Sequence, residues 1–106
     1  MNLTPSHIYT LYSPIVCTRR VYLRAKNYPE AEPSPFQKLL DEFGLRHEHN
    51  HLATFTEYTD LRDGSIDQRV ANTIDAVQNK ADVIYQGVLR SILPGTQETV
   101  FGIPDF

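Results

Sequence analysis

The 106-residue chain has room for one small domain, and with 41% apolar residues it has the composition of a folded protein, not a disordered one. A single cysteine, Cys17, excludes an intrachain disulfide, and no apolar run reaches the roughly 18 residues that a membrane span needs. The net charge of −3 is unevenly placed: residues 1–29 carry Arg19, Arg20, Arg24 and Lys26 with no acid, whereas the remainder is acidic, so the N-terminal segment can meet phosphates or an acidic surface.

The first residues, MNLTPSHIYTLYSPIV, lack the basic start and clean apolar stretch of a secretory signal, and a reduced, cytoplasmic setting is the expectation. A first helix is expected over residues 8–25, with Ser13-Pro14 as a breaking point. Its apolar positions Ile15, Val16, Tyr22 and Leu23 alternate with basic ones. A proline-rich loop, residues 27–33, follows. Ser34-Pro35 then starts the clearest helix, Ser34 as cap and Pro35 at the first helical position. It is expected to run to about residue 53. Phe36, Leu39, Leu40, Phe43 and His47 share one face of it.

Thr54 to Leu61 alternates and predicts a strand, and Arg62-Asp63-Gly64 a turn. Ser65 and Gln68 form a capping box ahead of a helix over residues 66–80, whose expected buried stripe is Ile66, Val70, Ile74 and Val77. Asp82 to Leu93 reads as a strand, Pro94-Gly95 as a turn, and Glu98 to Phe106 as an antiparallel partner strand. The order helix, helix, strand, helix, strand, strand specifies a single α/β domain, or an α+β one.

Two stretches can carry chemistry. His47-Glu48-His49-Asn50-His51 matches H-E-x-x-H, in which two histidines one helical turn apart hold Zn²⁺ and the glutamate activates a bound water. No well-placed third ligand follows, and His49 and His51 also read as an exposed polar helix end. His47 differs in lying within the apolar stripe. The second stretch is Gly102-Ile103-Pro104-Asp105, where a proline marks a bend or sheet edge and a bent tip can aim an acid at a metal. Pro-Asp is equally a turn pair. Arg19, Arg20 and Arg24 can line one helical side and contact phosphates, with a solvated face as the plain alternative. Cys17 reads as a small buried residue.

Three stretches taken in order resemble the N-terminal part of RecB-like nucleases of the PD-(D/E)XK superfamily, related to the CRISPR-associated RecB-like exonucleases. They are residues 17–23 (CTRRVYL), residues 33–48 (PSPFQKLL through GLRHE), and VIYQG at 83–87 followed by GIPDF at 102–106. The resemblance implies a partial restriction-endonuclease-like fold acting on DNA, alone or beside a helicase domain. It implies His47 and Asp105 as ligands of Mg²⁺ or Mn²⁺, Gln86 lining the site, and Arg19, Arg20 and Arg24 on DNA phosphates. Cys17 is an iron–sulfur ligand in some relatives, together with three cysteines that would lie beyond residue 106. The family also needs an acid-x-Lys strand after the aspartate, and no acid-x-Lys triplet occurs in these residues. The expectation is therefore a domain truncated after its PD motif, with little or no cleavage by this chain alone. The readings set beside it are a zinc hydrolase built on His47, Glu48 and His51, and a non-catalytic remnant that binds DNA or a partner.

Overall fold

The computed structural model describes residues 2–12, 14 and 17–106. In chain order the elements are β1 (Asn2–Leu3), α1 (Pro5–Tyr12), α2 (Thr18–Ala25), α3 (Pro35–Leu52), β2 (Thr59–Asp60), α4 (Ile66–Gln78), β3 (Ile84–Tyr85), β4 (Leu89–Ile92) and β5 (Thr99–Gly102). The class is mixed α/β, as expected. One sheet has the order β1-β5-β4, with β1 parallel and β4 antiparallel to β5. A second pairs β2 and β3 in parallel. Among the described residues no helix is long and apolar enough to cross a membrane.

Both helix starts follow the caps in the sequence. The Ser34 side chain accepts the Gln37 N–H at 3.1 Å with Pro35 at the first position. Ser65 and Gln68 close a reciprocal capping box ahead of α4. The helix expected over residues 8–25 is two helices, with Pro14 and Cys17 outside both. Ser13, Ile15 and Val16 lie outside the described residues. The strand expected from Thr54 shrinks to Thr59–Asp60, because the last carbonyls of α3 capture its start. His51 O accepts the Thr54 N–H and hydroxyl, and Leu52 O accepts the Phe55 N–H. Gln86, at φ 56°, divides the strand expected over residues 82–93. The final strand stops at Gly102, yet the Gln86 N–H reaches Asp105 O at 3.0 Å in the register that pairs Leu89 with Gly102, so the tip stays alongside the end of β3 and does not turn away from it at Pro104.

The apolar stripes need correction. Leu61, Ala76, Tyr85 and Val88 form the small buried core. Phe36, Leu39, Leu40 and Phe43 are exposed, and so are Ile66, Ile74 and Val77 of α4, which instead buries Thr73 and Ala76. Two small sheets cannot cover four helices. The accessible surface of 8437 Å² compares with about 6,000 Å² for a compact protein of this mass. The radius of gyration is 16.2 Å against about 13 Å.

Where the core is tight, it is tight around α4 and the end of β3. The Thr73 hydroxyl accepts the buried Val88 N–H at 2.8 Å and donates to Arg69 O at 2.7 Å. Gly87 lets the chain pass here. A Cβ on it would meet Ile84 Cγ2 at 3.1 Å and Thr73 Cγ2 at 3.2 Å.

Candidate functional site

The end of β3 organises the only place where two carboxylates share a hydrogen-bond donor among the described residues. Tyr85 is the last residue of β3 and is almost fully buried. Gln86 follows, and both its backbone polar groups are tied. Its N–H donates to Asp105 O at 3.0 Å, and its carbonyl accepts from Arg69 Nη2 at 2.7 Å. The side chain then bridges two acids, Nε2 donating to Glu48 Oε1 at 3.0 Å and to Asp105 Oδ1 at 3.2 Å. Those two oxygens are therefore no more than about 6 Å apart.

Glu48 Oε1 also accepts the Tyr85 hydroxyl at 2.5 Å. That bond, followed by desolvation and by the charge of Glu48, raises the pKa of the tyrosine above its usual value. Tyr85 thus stays a neutral donor facing the carboxylate. Its ring lies 5.4 Å from Phe106 and edge-on to Tyr58, with the Arg62 guanidinium 5.2 Å from its centroid. Arg62 is itself held by both oxygens of Asp60. The guanidinium depresses the Asp60 pKa, chiefly by hydrogen bonding.

Helix α3 reaches this cluster by a face other than its apolar stripe. Glu48 and Leu52, one turn apart, are its only residues that are not exposed. His47 is exposed, and no hydrogen bond or ion pair joins it to Asp105 among the described residues. The structure brings Asp105 and Gln86 together and puts Glu48, not His47, beside them. Of the zinc-type triad, Glu48 is engaged by Tyr85 and Gln86, while the His51 ring stands edge-on to Phe106 at 4.8 Å and Phe55 at 5.1 Å. No group of three or more His, Cys, Asp or Glu side chains able to hold a metal occurs among the described residues. Glu48 was expected only as the water-activating residue of the zinc reading, and Tyr85 and Arg69 were missed, because only tertiary contact brings them to Gln86 and Asp105.

The basic segment is partly neutralised. Arg24 grips Glu30 through two nitrogens and Arg20 approaches it at 3.4 Å. Hydrogen bonding to Arg24, then the charges of Arg24 and Arg20, pull Glu30 down to a pKa of about 2. These residues line a cavity of about 420 Å³ with Arg19, Leu23 and Tyr28. Cys17 lines it too and is an exposed free thiol, not the buried residue expected. It precedes α2 without capping it by its side chain.

Against this geometry, comparisons with protein-family models, curated proteins and solved structures return no match.

Proposed function

We propose that Asp105 and Glu48 form the carboxylate part of a divalent-cation site for phosphodiester hydrolysis, in a RecB-like nuclease domain of the PD-(D/E)XK type. The observation that carries the reading is the Gln86 amide held between the two acids. Hard cations take oxygen ligands, and Mg²⁺ is commonly held by one or two carboxylates, with water and substrate phosphate completing the shell. The two carboxylates match the oxygen preference of such a cation, and no third His, Cys, Asp or Glu joins them among the described residues.

Bound there, the cation would neutralise phosphate charge and activate water. Asp105 and Glu48 would hold it. Tyr85 would keep one Glu48 oxygen oriented through its hydroxyl. Arg19, which has no ion pair among the described residues, would be the arginine left free for a DNA phosphate, since Arg20 and Arg24 are committed to Glu30. Cleavage also needs the acid and lysine of the acid-x-Lys triplet. These do not occur as a triplet in this sequence, so the chain is expected to bind the cation without appreciable DNA cleavage.

Titration with Mn²⁺, followed by the electron-spin signal of free Mn²⁺, tests the site. Saturable 1:1 binding lost in Asp105→Asn and weakened in Glu48→Gln is the expected result. Binding that ignores both substitutions, or no binding at all, refutes the cation reading. It would leave the four side chains as a structural tie between α3 and the chain tip.

A further inference from the structure

We propose that the exposed apolar stripe of α3 is the interface between two copies of this chain, paired antiparallel about a two-fold axis. Every residue of α3 from Pro35 to His47 is exposed, and the two that are not, Glu48 and Leu52, lie near its C-terminal end. A helix in a folded protein draws most of its stability from packing an apolar face, and the described residues pack nothing on this one. Phe36, Leu39, Leu40 and Phe43 stand at helical spacing, each between 44% and 69% exposed. Together they leave on the order of 400 Å² of apolar side chain open, about half of what one partner of a standard interface covers. The chain also exposes roughly 2,400 Å² more than a compact protein of its mass, so it has surface for the remainder. Glu48 and Leu52 are turned at least a third of a turn away from the stripe, so docking to the chain and pairing with a second copy use different faces.

Gly44 is the second observation. A glycine inside a helix is destabilising relative to alanine, and nothing within the chain calls for this one. It is not among the glycines at positive φ, and a Cβ on it would meet nothing within 4 Å. It borders the stripe, one turn on from Leu40, where close approach of a second backbone accounts for the missing side chain. An antiparallel pair centred between Asp41 and Glu42 supplies that approach. Leu40 then faces Phe43 of the second copy and lies against its Gly44, while Phe36 faces His47. Each copy contributes the same patch, the pattern of a closed dimer. Asp41 and Glu42 in the same stretch oppose an anionic membrane or a nucleic acid as the occupant. The patch is small, so the expected dissociation constant is on the order of micromolar. The pairing is independent of the chemistry at Asp105.

Sedimentation equilibrium of the wild type from about 1 to 300 µM tests the pair. The mass is expected to rise from the 12.1 kDa monomer to twice that value and to stop there. Phe43→Glu should weaken association at least tenfold. Because Phe43 is exposed in the monomer, the variant should keep the wild-type urea midpoint at low concentration. Leu45→Glu, also exposed but on the opposite side of α3, should dimerise as the wild type does. A wild type that is monomeric at every concentration, or that grows beyond the dimer, overturns the proposal. So does a Phe43→Glu protein that still dimerises, or a Leu45→Glu protein that does not. Direction is read by disulfide trapping in a Cys17→Ser background. Mixed Phe36→Cys and His47→Cys proteins should cross-link to each other, and a Phe36→Cys protein that cross-links to itself instead refutes the antiparallel arrangement.

Discussion

Thr73→Val probes the joint that fixes the chain just after Gln86. Thr73 is 4% exposed and Val88 1% exposed, so the bond between them is out of water. Valine fills the threonine volume but cannot accept the Val88 N–H, which the threonine oxygen takes at 2.8 Å. The bond lost on the other side, from the hydroxyl to Arg69 O, leaves a carbonyl that the helix itself can still satisfy. The dominant cost is one buried, unpaired amide, about 1–3 kcal/mol. At roughly 4–8 °C per kcal/mol for a domain near this size, the thermal midpoint should fall by several degrees or more. Urea unfolding gives the same quantity as a lower midpoint at unchanged slope. Thr73→Ser keeps the acceptor and loses only the methyl near Gly87, so it should cost less. A Thr73→Val protein within about 0.5 kcal/mol of wild type, or a serine variant worse than the valine one, would refute the hydrogen-bond account.

Gly87→Ala should destabilise by on the order of 1 kcal/mol in urea unfolding, because the new methyl meets two side-chain carbons at 3.1 and 3.2 Å in a packed region. An alanine variant as stable as wild type would mean that Ile84 and Thr73 yield freely. The Glu30 carboxyl, lowered from 4.5 to about 2, contributes stability that is complete above pH 4.5 and is lost as pH falls towards 2. The thermal midpoint of the wild type should therefore decline relative to Glu30→Gln across that interval. The effect should be small because the pair is exposed, and parallel curves for the two proteins would show that the pair contributes nothing.

Local chemistry was well recorded in the sequence, and layering was not. The caps at Ser34 and Ser65, the break at Pro14 and the β4–β5 hairpin depend on neighbours within a few residues, and each is present. The burial of a helical stripe depends on what lies across from it. Phe36, Leu39, Leu40 and Phe43 have helical spacing yet stay exposed, because the described residues provide no second layer over them. The strand expected from Thr54 failed for a related reason. Its β propensity lost to the carbonyls of the preceding helix, which needed donors.

The same argument explains the composition of the candidate site. A sequence reader chooses the working face of α3 from its apolar stripe, and His47 lies on that stripe. Successive residues on a helix are turned by about 100°, so the choice of face decides which of His47 and Glu48 meets the chain tip. In the structure the docked face is that of Glu48 and Leu52. It is recognised not by hydrophobicity but by a hydroxyl and an amide waiting at the end of β3. Asp105 was legible as an acid at the tip of the last expected strand. The place of Glu48 beside it was not, because its partner Gln86 is 38 residues away and has its carbonyl held by Arg69, which no spacing rule connects to either acid. A half-buried polar cluster of this kind favours one helix rotation over its alternatives, and here that rotation places a carboxylate, not an imidazole, beside Asp105.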